Sequence, residues 1–114
     1  MFGNKFEDYA PYITALKEHG IDMSLAETGG GCVALWMKAN DGSDIYTLGP
    51  FIDDRYNGFE VISAVDTSMI VAYEPPDPYF DLGPSETADL LAPALHRYLN
   101  GDRTPLPGWQ LKIH

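Results

Sequence analysis

Over the first twenty positions apolar residues return every three or four places, and Phe6, Tyr9, Ile13 and Leu16 fall on one stripe of a helix. Asp8 is placed to cap that helix, which would put Pro11 in the first turn, where its missing N–H is harmless. Lys17 and His19 suit the negative end of the helix dipole, and Gly20 is a natural left-handed stop. The spacing then shortens to two. Ile21, Met23 and Leu25 point one way and Asp22, Ser24 and Glu27 mark the polar side, as in a half-buried strand. Gly29-Gly30-Gly31 interrupts the alternation, and Cys32 to Lys38 follows as a second strand, apolar on both faces and so expected to be buried on both. Asn40-Asp41-Gly42-Ser43 predicts a tight hairpin because Asp-Gly accommodates positive φ, and Ile45 to Leu48 returns as a third strand.

Gly49-Pro50 ends that strand, and the stretch to Gly58 reads as a loop carrying Asp53, Asp54, Arg55 and Tyr56. Phe59, Val61, Ser63 and Val65 alternate with Glu60, Ile62 and Ala64 in a fourth strand, and Asp66-Thr67 turns into a fifth, Met69 to Tyr73. Pro75-Pro76-Asp77-Pro78 cannot donate to a ladder, so the sheet stops or reaches an edge there. Ser85 is expected to open a second helix with Glu86 and Asp89 near its positive end. Leu91, Leu95, Tyr98 and Leu99 supply its apolar stripe, Gly101 closes it, and Pro93 predicts a kink or a division into two short helices. Trp109, Leu111 and Ile113 alternate in a short last strand. The expected class is α+β: an antiparallel meander of five to six strands with an N-terminal helix and a kinked C-terminal helix packed on one face, forming one globular domain over residues 1–114.

Composition narrows the function classes. With 114 residues, 45% hydrophobic, the chain has one domain's worth of core. Its net charge of −10 repels phosphate backbones and anionic lipid, so direct nucleic-acid or membrane binding is not expected. A single cysteine makes neither an internal disulfide nor a multi-cysteine metal site and points to a reducing cytoplasm. The apolar runs Cys32 to Met37 and Met69 to Tyr73 are far too short to span a bilayer, and Met1 to Lys5 is no secretory leader.

Glu27-Thr28-Gly29-Gly30-Gly31-Cys32 is the most distinctive stretch. Backbone N–H groups of a glycine loop beside a thiol can hold an oxyanion, which would make Cys32 the nucleophile of a small hydrolase. That chemistry needs a thiolate favoured by a nearby histidine, and His19, His96 and His114 reach Cys32 only through the fold. The preferred reading is a glycine hairpin with Cys32 as small apolar filling, and no catalytic residue is assigned. No Gly-Lys-Ser/Thr follows, which excludes a phosphate-binding P-loop. Together with Ala34-Leu35 and the polar hairpin after them, this stretch resembles small proteins of tailed bacteriophages, particularly those of actinobacteria, over about Ala15 to Leu48. The resemblance carries no activity and no site residues. It implies a phage accessory protein acting in the host bacterial cytoplasm.

Asp53 and Asp54 are adjacent and diverge on an extended chain, Asp41 to Asp44 lacks the length of a calcium loop, and His96 lacks a partner at metal spacing. No metal and no cofactor are expected. Between Arg55 and Arg97 there is no Lys or Arg, while Glu60, Asp66, Glu74, Asp77, Asp81, Glu86 and Asp89 fall in that interval, a surface able to steer a basic partner. Pro75 to Pro84 joins a stiff backbone to Tyr79, Phe80 and Leu82, the kind of aromatic anchor that dominates interfaces. The leading expectation is a non-catalytic binding protein that takes a protein partner through Asp77, Tyr79, Phe80 and Asp81, with Asp53, Asp54 and Tyr56 as a second contact surface. Three other readings stand beside it. They are a DNA mimic inhibiting a nucleic-acid enzyme, the Cys32 hydrolase, and a homo-oligomeric structural component in which Trp109 or the short last strand joins chains.

Overall fold

The computed structural model describes residues 6–29, 32–48, 58–65, 70–75 and 83–113, with the side chains of residues 6–8, 28, 29 and 32 outside that description. Its elements follow the expected order: α1 (Phe6–Glu18), β1 (Ser24–Gly29), β2 (Cys32–Lys38), β3 (Asp44–Thr47), β4 (Phe59–Ile62), β5 (Ile70–Glu74), α2 (Pro84–Leu99) and β6 (Gln110–Ile113). The six strands form one sheet in chain order, every neighbouring pair antiparallel. The α+β meander is therefore as the periodicities predict.

Pleating gives the sheet two faces, and the register decides which residues share one. Leu25, Leu35, Thr47, Phe59, Tyr73 and Leu111 form one cross-sheet row, and Met37, Ile45, Val61, Val71 and Ile113 form the next on the same face. Both helices cover this face. Tyr9 and Leu16 from α1 and Leu91, Leu95 and Tyr98 from α2 are buried in one cluster with Leu35, Ile45, Phe59 and Tyr73. Each such side chain contributes roughly 1.5–3 kcal/mol on leaving water. The opposite face carries the row Ser24, Trp36, Tyr46, Glu60, Ala72 and Lys112.

Several local expectations need correction. The first helix begins at Phe6, so Asp8 is not its cap and Pro11 lies inside it rather than in the first turn. The second begins at Pro84 on a Gly83 cap, one residue before Ser85, because proline suits the first helical position and Glu86 Oε1 accepts the Gly83 N–H at 3.2 Å. Pro93 does not divide it: α2 runs unbroken through 16 residues, held by a buried stripe from Thr87 to Tyr98. The second strand is not fully buried on both faces, since Trp36 and Met37 are only half-buried. The fourth strand stops at Ile62, leaving Val65 outside it.

Two backbone positions are tightly specified. Gly42 takes φ 89° at the β2–β3 turn, as its Asp-Gly sequence predicts, with its N–H bonded to Ala39 O at 3.0 Å. Gly58 has no room for a side chain: a Cβ there would lie 2.0 Å from Tyr73 O. The same glycine's carbonyl accepts the hydroxyl of fully buried Thr47 at 2.6 Å, which satisfies a polar group placed in the core. Leu48 adopts φ 56°, uncommon for a branched side chain, and its carbonyl lies 3.0 Å from the buried Tyr9 hydroxyl, which donates to it.

Candidate functional site

Of the residues expected to contact a partner, Asp53, Asp54, Tyr56, Asp77, Tyr79, Phe80 and Asp81 lie outside the described residues. Their anchors are informative nonetheless. The register sets Thr47 beside Phe59 and Phe59 beside Tyr73, so the segments that follow β3 and β5 leave the sheet at one end.

A cavity opens towards the other end. It measures about 290 Å³, and its apolar floor is Val61, Val71, Leu111 and Ile113 from the helix-side face of the sheet. Tyr73 and Tyr98 form its inner wall, and Asp41, Ser43, Ser63 and Arg103 its polar rim. Behind it stands an aromatic cluster. Phe59 stacks on Tyr73 with centroids 4.8 Å apart and meets Tyr98 edge-on at 6.3 Å, geometries that the ring quadrupole favours. Trp109 packs against Phe59 at 6.3 Å and is buried, so its ring is spent on the core rather than left for a dimer interface.

The segment after α2 is fastened along the rim. The Arg103 guanidinium lies 4.0 Å from the Tyr98 ring centroid, the cation–π arrangement, and its Nη2 donates to Asp41 Oδ2 at 2.7 Å. The Tyr73 hydroxyl donates to Arg103 O at 2.8 Å. Asp41 is held below the usual carboxylate range first by the Ser43 backbone N–H, which it accepts at 2.9 Å, then by the Ser43 side chain and Arg103. The Tyr73 phenol is pushed up, chiefly by burial. Asp41 thus remains an anion that anchors the strap, and Tyr73 a neutral donor.

The cavity takes in part of the uncovered apolar surface. Among the described residues the exposed large hydrophobic side chains are Val65 (97% exposed), Leu111 (42%) and Ile113 (67%). Leu111 and Ile113 belong to its floor, and Val65 follows two residues after rim-forming Ser63, whose Oγ accepts the Val65 N–H at 3.1 Å. Sequence spacing marks Leu111 and Ile113 as the apolar face of the last strand. What spacing does not reveal is that α2 leaves that face uncovered.

Several acids among the described residues are paired. Ion pairs join Asp41 to Arg103, Asp44 to Lys38 at 3.1 Å, Glu74 to Lys112 at 3.2 Å and Asp102 to Arg97 at 3.2 Å, and His19 Nε2 lies 2.8 Å from Asp89 Oδ1. Asp44 also accepts Trp36 Nε1–H at 3.0 Å, the main reason its carboxyl is held low.

Cys32 opens β2 and pairs with Gly29, the last residue of β1. Tyr9 lies by neighbouring Val33, with its hydroxyl 3.3 Å from Val33 O. His19 follows α1 at its far end, about 14 Å along the axis from Tyr9 by the helical rise, and His96 Nε2 contacts His19 O at 2.5 Å. These two histidines therefore meet each other, at the end of α1 away from Cys32. No cluster of His, Cys, Asp and Glu among the described residues is arranged to hold a metal ion, and no described helix is long and apolar enough to cross a membrane. Comparison with protein-family models, curated proteins and solved structures finds no match to the chain.

Proposed function

We propose that the protein is a small acidic binding module without catalytic chemistry of its own, which engages a protein partner at the corner where Leu111 and Ile113 floor the cavity. The observation that carries this reading is that two of the three exposed large apolar side chains of the described residues, Leu111 and Ile113, line one open cavity. Uncovered apolar surface beside a polar rim is the usual composition of a protein-binding site. At about 290 Å³ the cavity has room for one or two anchoring side chains of a partner.

The acidic segments at 53–54 and 77–81 add electrostatic steering towards a basic partner, consistent with the net charge of −10. The pairing of Asp41, Asp44, Glu74 and Asp102 with Lys or Arg favours this reading over DNA mimicry, which needs rows of free carboxylates. A phage accessory role in a bacterial host is what the glycine–cysteine stretch implies, and it sets where a partner is sought.

A photo-reactive amino acid at Leu111, in protein added to an actinobacterial lysate, tests the assignment, with exposed Thr14 on α1 as the control position. A cross-linked protein specific to position 111 and lost on Ile113→Asp is expected. Identical products from both positions, or none from position 111, would remove the corner from consideration.

A further inference from the structure

We infer that Asn100, where α2 ends, is a site of spontaneous deamidation, and that the reaction unfastens the segment that carries Arg103 to the cavity rim.

The chemistry starts from a dipeptide. The backbone nitrogen that follows an asparagine can attack the side-chain amide carbon, and a glycine at that place puts no side chain in the way. Asn100-Gly101 has this sequence. Asn100 is exposed, its side chain makes no hydrogen bond among the described residues, and a Cβ on Gly101 would meet nothing within 4 Å. The amide is open to water and the approach to it is clear.

The structure sets the comparable positions apart. Asp41-Gly42 has the same spacing, but the Asp41 carboxylate accepts Ser43 N–H at 2.9 Å and Arg103 Nη2–H at 2.7 Å, and an anion is a poor electrophile. Exposed Asn40 is followed by Asp41, whose side chain crowds the attacking nitrogen. Asn57-Gly58 repeats the Asn-Gly pair, and Asn57 lies outside the described residues.

Water and hydroxide are the only co-reactants. The Gly101 nitrogen gives its proton to hydroxide and bonds to Asn100 Cγ, and ammonia leaves with a proton returned by water, so a five-membered succinimide remains. Water then opens the ring. Opening at the side-chain carbonyl leaves aspartate at position 100, and opening at the main-chain carbonyl leaves isoaspartate, with the chain running through the side chain.

A closed turn holds the site until then. Gly101 N–H donates to Tyr98 O and Asp102 N–H to Arg97 O, each at 3.0 Å, with Gly101 at φ 97°, the paired bonds that commonly end a helix on a left-handed glycine. The Gly101 bond must open, and Asn100 must rotate away from its ψ of 3°, before the nitrogen can attack. Helix ends are where such opening costs least. The products do not restore the turn. Isoaspartate inserts a carbon into the loop that both bonds close, and either product puts a carboxylate at the negative end of the α2 dipole. Beyond this turn lie Asp102, paired with Arg97, and Arg103, which sits over Tyr98 and pairs with Asp41 at the rim.

Incubation of the purified full chain at pH 8 and at pH 6, followed by trypsin and mass spectrometry, tests this without any partner, so its outcome is independent of the cross-linking above. Trypsin releases residues 98–103 apart from 56–97 and 39–55, so Asn100 is read separately from Asn57 and Asn40. Conversion of 98–103 to aspartate and isoaspartate is expected, at least fivefold faster at pH 8, with 39–55 unchanged. In the converted chain the Asp102 amide should exchange at least tenfold faster than in fresh protein, and Asn100→Gln should abolish both effects. A native chain still unconverted at 98–103 when the urea-unfolded chain has reacted there overturns the inference, as does isoaspartate at position 100 with Asp102 exchange unchanged.

Discussion

Gly58 shows most directly how one position fixes this sheet. Its missing side chain lets Tyr73 O come within what would be 2.0 Å of a Cβ, and its own carbonyl takes the buried Thr47 hydroxyl. Gly58→Ala must push β4 and β5 apart, and we expect a loss of about 2–4 kcal/mol, read from denaturant midpoints; a loss below ~0.5 kcal/mol would contradict the close approach. Acid sensitivity follows from Asp41, whose carboxyl is held below its ordinary value of 3.8 by Ser43 and Arg103. A depressed folded value adds stability that is complete above the ordinary value and lost as pH falls through the folded one. Asp41→Asn should flatten the fall in stability below about pH 4, by less than ~1 kcal/mol because the side chain is half-exposed. An unchanged slope would place the acid response elsewhere. At this scale Gly42 is legible from its Asp-Gly context. Gly58 is not, because only the fold brings Tyr73 to it.

Among the elements, β6 departs most from the others. All four of its residues are exposed, and among the described residues it has a strand neighbour on one side alone. In dilute solution its amides, where bonded to β5, should exchange at least tenfold faster than those of β3, which is flanked by β2 and β4 and carries buried Ile45 and Thr47. Equal protection at low concentration would mean that β6 is held more firmly than its surroundings imply. Periodicity located every strand and both helices, since a shift in spacing from helix to sheet is written into the apolar residues themselves. Helix starts were harder to read. Asp8 and Ser85 have capping side chains, but Pro84 with Gly83 serves α2 instead, and α1 begins before Asp8. Pro93 leaves α2 in one piece, because the cost of a lost hydrogen bond is offset by burial of Leu91, Ala92, Ala94 and Leu95, which no local rule contains.

For the molecule as a whole, the site was far less legible than the fold. Its floor comes from β4, β5 and β6 and its rim from a turn at Asp41 and a strap at Arg103, residues 62 apart in sequence. Their meeting depends on the order of the strands and on how far α2 extends across them. That same order has a kinetic side. Each strand through β5 pairs with its immediate predecessor in the chain, so hairpins can form and add one after another while the polypeptide is still being synthesised, at low loop-closure cost. The last strand alone must wait until the whole of α2 has emerged, and a ribosome that pauses before it would leave β5 as a temporary border, vulnerable to pairing with a neighbouring nascent chain.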